Sequence, residues 1–105
     1  MRGRADAPAN EEVTLIINFE ASDAGLAEFS AIMDGVAGAM QTEVGFVSAK
    51  VYRNVDTPNK FVLVEVWESK ALHEAHYKHI NETGDWAHIK SLLTREPLMG
   101  YYTAD

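Results

Sequence analysis

The stretch Lys60-Phe-Val-Leu-Val-Glu-Val-Trp67, followed by Glu-Ser-Lys-Ala-Leu-His-Glu-Ala-His76, decides the fold of this chain. Its first part is apolar and β-branched and predicts a strand over residues 60–68. Ser69 is a typical N-cap residue, so we expect a helix to begin directly after it. The side chains expected on the buried stripe of that helix are Leu72, Ala75, His76, His79 and Ile80.

The predicted strand is apolar on both faces of its sheet. Phe61, Leu63 and Trp67 have one parity, and Val62, Val64 and Val66 have the other. The helices of one small chain can cover only one face of a sheet. We therefore expect a second copy of the chain to cover the other face, which predicts a homodimer.

Three further elements precede this stretch. Residues 13–19 predict a first strand, and Ser22 is a plausible N-cap for the helix that follows. That helix should bury Leu26, Phe29, Ile32, Met33, Val36 and Met40. Residues 44–54 predict a second strand, which a turn over 54–59 joins to the third strand as a hairpin.

The remaining elements complete a recognisable order. Thr83-Gly84 should end the second helix, Asp85 can cap a short third helix, and residues 98–103 predict a last strand. The order β-α-β-β-α-(α)-β predicts an α+β, ferredoxin-like fold with an antiparallel four-stranded sheet. We expect residues 1–11 to be a flexible lead-in and residues 12–105 to form one domain.

Composition excludes several classes of function. The chain has 16 acidic and 9 basic residues, a formal net charge of −7, which argues against binding to nucleic acid or to anionic membranes. It has no cysteine, so neither disulfides nor thiolate chemistry is available. No apolar run resembles a signal peptide or a membrane span, and we expect a cytoplasmic protein.

Polar residues inside apolar segments are the candidates for chemistry. His76 shares the helix stripe, so it should face the sheet as a general base or donor, or as a buried histidine bonded to Glu65 or a backbone carbonyl. Glu65 must be paired, with His76, Lys50 or Arg53, or protonated. Asn18 interrupts an apolar strand, so its amide should be at least half buried with polar partners, or else lie at a strand end or edge where solvent satisfies it. Trp67 either lines a cleft or fills the core.

All four histidines, His73, His76, His79 and His88, lie in one short window. Their HxxH spacings would allow a metal, but the three on the helix do not converge well on one ion and no cysteine supports them. The sequence therefore predicts no metal site.

The residues from Phe61 to Trp67, with the Glu-Ala-His triplet that ends at His76, resemble the antibiotic biosynthesis monooxygenase family. The similarity extends loosely from Val13 to Tyr102. It implies a dimeric α+β barrel in which two ferredoxin-like sheets pack face to face. It also implies oxidation of quinol or anthrone substrates by molecular oxygen, with no metal or flavin cofactor.

The resemblance also suggests roles for residues. A cleft asparagine contacts substrate or oxygen in these monooxygenases, and Asn18 stands at a comparable position. The related haem-degrading branch has a tryptophan on its second helix, and this chain has His76 at that position. His88 is the nearest match to the histidine that binds the haem iron in that branch. The residues we expect to bind substrate are Trp67, Glu65, Met33, Phe29, His88 and Tyr102.

These observations lead to a hypothesis and two alternatives. The leading hypothesis is a cofactor-independent monooxygenase that oxidises a small aromatic, quinol-like compound, with His76 and Asn18 as catalytic residues. The alternatives are a non-catalytic homodimer that binds a small ligand or has a structural role, and a haem-degrading enzyme. An enzyme needs a cavity that reaches His76 and Asn18 together, whereas a structural module can fill that space with Phe29, Met33 and Leu72.

Overall fold

The computed structural model describes residues 11–105, so the predicted lead-in lies almost wholly outside the described residues. Seven elements follow one another in the predicted order. They are β1 (Val13–Glu20), α1 (Leu26–Ala39), β2 (Phe46–Arg53), β3 (Lys60–Trp67), α2 (Lys70–Thr83), α3 (Asp85–Ser91) and β4 (Leu98–Tyr102).

The four strands form one antiparallel sheet in the order β2-β3-β1-β4. The hairpin of β2 and β3 lies on one side of β1, and β4 pairs with the other side of β1. This arrangement confirms the predicted α+β, ferredoxin-like fold.

Strand alternation divides the sheet into two faces, which we call the covered face and the open face. On β1 and β3, the covered face carries Leu15, Ile17, Phe19, Phe61, Leu63, Glu65 and Trp67, all of which are buried. The helices pack against it, and the ring of Phe29 from α1 lies 5.0 Å from the rings of both Phe19 and Phe61. The core therefore lies between this face and the helices.

The open face carries the alternate residues of the same strands. Ile16, Val62, Val64 and Val66 are half-buried, while Leu98, Tyr52 and Tyr102 at the flanks are mostly exposed. No helix among residues 11–105 packs on this face, so its apolar side chains lack a cover within the described part of the chain. No helix within the same range is long and apolar enough to cross a membrane.

The first helix begins later than Ser22 predicts. Its N-cap is Gly25, while the Ser22 hydroxyl accepts a hydrogen bond from the Gly25 N–H at 2.9 Å in the preceding turn. Gly25 packs so closely on α3's end that a Cβ there would lie 2.6 Å from the carbonyl oxygen of Leu92. Ser22 therefore shapes the entry to the helix, and the predicted cap is wrong.

The buried stripe of α2 is rotated from the predicted one. His73 is buried, and Leu72, His76, Tyr77 and Ile80 are half-buried, while Ala75 and His79 are exposed. The correct stripe follows the spacing 73, 76, 77 and 80, which the sequence also permits. Ser69 does cap this helix by accepting from the Leu72 N–H at 3.1 Å, and Gly84 ends it with a φ of 88°.

Candidate functional site

A cavity of about 340 Å³ lies between the covered face of the sheet and the helices. Its apolar walls include Ile32, Met33, Val36, Ile80, Trp86 and Ile89. Polar side chains also line it: Glu43, Glu65, His73, His76, His79 and Asp85. None of the described residues that line it is a lysine or an arginine, so this cavity favours a neutral ligand over an anionic one.

His76 lies where its stripe predicts, facing the space between sheet and helices. Its Nδ1 is 3.0 Å from Oε1 of Glu43, and its side chain is only 13% exposed. The predicted partners, Glu65 or a backbone carbonyl, are therefore wrong, because the loop after α1 brings a different carboxylate to the ring. The Trp67 ring flanks the imidazole with a centroid distance of 5.3 Å.

Glu65 is 5% exposed and lines the cavity. Its Oε1 accepts a hydrogen bond of 2.8 Å from Nε1 of Trp67, and not from Lys50 or Arg53. Burial raises the pKa of Glu65, although the Trp67 hydrogen bond and the nearby His76 partly oppose that shift. Burial therefore makes this carboxyl group easier to protonate than a carboxyl group in water.

Trp67 is fully buried, and its indole is bonded to Glu65. It is not among the residues that line the cavity. Its rings contact Phe46, His73 and His76. Of the two interpretations that the sequence left open, filling the core is the one that the geometry supports.

His73 is the most buried of the four histidines, at 3% exposure. Its Nδ1 lies 2.6 Å from the hydroxyl of Tyr101 on β4. Burial, together with the charge of His76, lowers the pKa of His73 to about 4, so the ring is neutral near pH 7. Burial also raises the pKa of Tyr101 to about 12, with smaller effects of Glu74 and Tyr77, so this phenol keeps its proton.

Asn18 does not join this cluster. It belongs to the open face and is exposed, so the expectation of a half-buried amide is wrong. The reason is parity: Asn18 pairs with Val62, whereas Ile17 and Phe19 point to the helices. Asn18 lines a separate, shallower pocket of about 320 Å³, and Tyr102 also lies on the open face at 55% exposure. Neither of these two cavities reaches both His76 and Asn18.

The other predicted binding residues divide between core, cavity and surface. Met33 is buried and lines the cavity, whereas Phe29 is fully buried in the aromatic core beside it. His88 projects from α3 to the surface, where its Nε2 pairs with Glu28 of α1 and the side chain is 56% exposed. His88 therefore does not contact the cavity.

The described residues give little support for a metal-binding or haem-binding site. Within 11–105, no group of three or more His, Asp or Glu side chains is placed to hold a metal ion. The residue that the resemblance matched to a haem ligand, His88, is a surface residue paired with Glu28. The residues present do not fit a haem site of that design.

Two contacts of this site, Glu43 with His76 and His73 with Tyr101, are not predicted from the sequence. Glu43 lies in the loop between α1 and β2, which carries no motif, and it contacts His76 from 33 residues away. The His73–Tyr101 hydrogen bond joins α2 to β4 across 28 positions of sequence. The spacing of His73, Tyr77 and Ile80, which are four and three residues apart, is the signal that identifies His73 as a core-facing residue.

Comparisons with known proteins place the chain in a family. The family model for antibiotic biosynthesis monooxygenase matches residues 12–83, and the chain therefore belongs to that family. No curated protein is a significant sequence match.

Solved structures share the fold at low sequence identity. SnoaB, a cofactor-independent oxygenase from Streptomyces nogalater, is 24% identical with a TM-score of 0.76, over 90% of this chain and 94% of that one. Rv0793 from Mycobacterium tuberculosis is 21% identical with a TM-score of 0.76, over 90% and 95%. A conserved protein from Methanosarcina mazei is 13% identical with a TM-score of 0.77, over 92% and 96%. At these identities the likeness establishes the fold alone.

Proposed function

We propose that this protein is a cofactor-independent monooxygenase that oxidises a small, neutral, aromatic quinol-like compound with molecular oxygen. The observation that carries the proposal is the apolar cavity of about 340 Å³ with His76 and Glu65 in its wall. Membership of the antibiotic biosynthesis monooxygenase family and the structural likeness to the cofactor-independent oxygenase SnoaB support this proposal. The cytoplasmic location expected from the sequence remains a prediction.

The cavity suits a flat aromatic ligand with one or two oxygens. Its walls are largely aliphatic and aromatic, which favours burial of a ring system. The polar side chains that line it supply a base at His76 and a carboxyl group at Glu65. A structural module would fill this space with side chains, so the cavity favours a ligand-binding function over a purely structural one.

The first chemical step is removal of a phenolic or enolic proton. The substrate O–H bond breaks, an N–H bond forms on His76, and the electron pair stays on the substrate oxygen. Glu65 lies in the cavity wall with a pKa that burial raises, and whenever its carboxyl group carries a proton it can donate a hydrogen bond to the resulting anion. Asn18 has no part in this step within one chain, because it lies on the other face of the sheet.

The electron-rich anion then reacts with oxygen directly. It transfers an electron to O₂, and the two species combine to form a carbon–oxygen bond. In the overall reaction one oxygen atom becomes a carbonyl, and the other leaves as water with the two hydrogens that the substrate loses, one from its O–H group and one from the carbon that is oxidised. Oxygen is thus reduced by the four electrons that the substrate loses, and no further reductant is required.

The test is oxygen uptake with anthrone as the probe. His76→Ala should lower turnover by about 100-fold or more, because general-base catalysis contributes on that order. The thermal midpoint should stay within a few degrees, which separates a catalytic role from a structural one. If the wild-type protein binds anthrone but takes up no oxygen, the chain is a non-catalytic binding module and the proposal fails.

The protein is also proposed to act as a homodimer through the open face. The half-buried row of Ile16, Val62, Val64 and Val66, with exposed Leu98 and Tyr102 beside it, is the apolar surface that supports this proposal. A stable interface there should bury well over about 1,000 Å². Light scattering at micromolar concentration is the test, and a monomer would contradict it.

A further inference from the structure

We propose that Glu43 is the positioning residue of His76: it holds the imidazole in the tautomer that carries its proton on Nδ1. Nε2 is then left as the basic nitrogen. The inference rests on the proposed role of His76 as a base, but its central claim concerns the ring itself and can be measured without turnover.

The contact between the two side chains defines the tautomer. Nδ1 of His76 lies 3.0 Å from Oε1 of Glu43. An ionised carboxylate can only accept hydrogen bonds, so the nitrogen that faces it must be the one that bears the proton. For Nε2 there is no hydrogen-bond partner among residues 11–105, and the ring lines the cavity.

The loop that carries Glu43 is fixed against α2. Gly45 has a φ of 88°, and a Cβ there would lie 2.6 Å from Cδ1 of Leu72, so only glycine allows this close approach. The Gly45 carbonyl also accepts from the Glu68 N–H at 2.8 Å, and the Glu43 N–H donates to the Met40 carbonyl at 3.0 Å. The backbone of this loop therefore holds Glu43 close to α2, within reach of His76.

The other groups around His76 do not compete for Nδ1. Glu65 of β3 accepts from Trp67, and His73 of α2 is bonded to Tyr101. The Trp67 ring lies against the imidazole at a centroid distance of 5.3 Å and limits its rotation. Glu43 therefore fixes which nitrogen is protonated, and Trp67 restricts the plane of the ring.

In the reaction, this pair acts on one proton only. The substrate O–H bond breaks as Nε2–H forms, while Nδ1–H remains bonded to Glu43. The carboxylate stabilises the imidazolium that results, as an orienting carboxylate does in a catalytic triad. Glu43 is 39% exposed, so solvent can reach this side of the pair after turnover.

The decisive measurement is the tautomer of the His76 ring, read from long-range ¹H–¹⁵N correlation spectra of ¹⁵N-labelled protein near pH 8. This measurement needs no substrate and no turnover. We expect the wild type to show protonation at Nδ1 of His76. Glu43→Ala should shift the ring towards the Nε2–H form, which predominates when Nδ1 has no acceptor. Glu43→Gln keeps an oxygen acceptor and should preserve the wild-type signal. The matched control is Glu82→Ala. Glu82 is an exposed residue of α2, the helix that carries His76, and it does not line the cavity.

Turnover gives a second, separable result. Glu43→Ala should lower kcat for anthrone oxidation by about 10- to 100-fold, as loss of an orienting carboxylate does elsewhere, with a smaller change in KM. An Nε2–H tautomer in the wild type, or an unchanged tautomer in Glu43→Ala, would overturn this inference whatever the activity. If instead the tautomer shifts but His76→Ala retains full activity, the inference about the ring holds and the proposed role of His76 as base fails.

Discussion

The two faces of the β1–β3 pair are built from neighbouring residues of the same strands, yet they differ in chemistry. The covered face combines large apolar side chains with Glu65 and Trp67, and a histidine-rich helix packs over it. On the open face, β3 carries the aliphatic row Val62, Val64 and Val66 with Ile16 of β1 beside it, and the polar neighbours Asn18 and Lys50 lie on the adjoining strands. Polar groups buried beside a cavity favour ligand chemistry, whereas an uninterrupted aliphatic row favours packing against another protein.

The most severe way to break this comparison is to place a charge on each face at adjacent positions. Leu63→Asp buries a carboxylate in the core and should cost more than about 5 kcal/mol, enough to prevent folding. Val64→Asp puts the same group on the open face, and the chain should stay folded but become monomeric. Circular dichroism and light scattering on the two variants measure these outcomes. A folded Leu63→Asp or a dimeric Val64→Asp would contradict the assignment of the faces.

The sequence predicted the division into faces but not the identity of the site. Alternation in β3 is enough to show that both faces are apolar, and it led to the right fold. It does not say which parity of β1 faces the helices, because Ile16 and Ile17 are equally apolar, and the expected burial of Asn18 is wrong for that reason.

The surroundings of His76 could not be predicted from the sequence either. The sequence permits two rotations of α2, and only packing selects the one that buries His73. Glu43 comes from 33 residues away through a loop whose course depends on the close contact of Gly45 with Leu72. Contacts of that kind depend on tertiary packing, which local periodicity does not encode.

The second prediction concerns pH, because the buried groups with shifted pKa values lie on the covered side. His73 has a pKa lowered from 6.5 to about 4. Between those values the unfolded chain binds a proton that the folded chain does not, so its contribution to stability is full above pH 6.5 and is lost as the pH falls towards 4. The loss between these pH values is on the order of 2–3 kcal/mol, because one pKa unit corresponds to about 1.4 kcal/mol.

Urea unfolding at a series of pH values measures this effect. His73→Gln keeps a hydrogen-bonding group near Tyr101 but cannot titrate, so its stability should fall less between pH 6.5 and 4 than that of the wild type. The raised pKa of Glu65 acts in the opposite direction, since a folded state that binds the proton more readily gains stability as the pH falls, so the difference between variants is the quantity to compare. Parallel curves for the wild type and His73→Gln would refute the assignment.

The third prediction sharpens the role of the tryptophan on the covered face. Trp67→Phe removes the donor that Glu65 accepts from and should lower the free energy of unfolding by about 1–3 kcal/mol. Trp86→Phe is the matched control, because it removes a similar volume and no hydrogen bond is found for its indole among residues 11–105. Equal losses in the two variants would mean that volume, and not the bond to Glu65, accounts for the effect.

The smallest effect is expected from Asn18→Ala on the open face. The side chain is exposed in the single chain, and its removal should change the free energy of unfolding by less than about 0.5 kcal/mol. If the cavity beside His76 is the site, oxygen uptake with anthrone should stay within about twofold of the wild type, since Asn18 lies on the opposite face. Light scattering on the same sample checks that the assembly is unchanged, so that a loss of activity cannot be attributed to dissociation. A large fall in turnover with an intact assembly would indicate that Asn18 has a catalytic role. It would also move the site to the pocket that Asn18 lines with Tyr52 and Leu98, where a second copy would have to complete it.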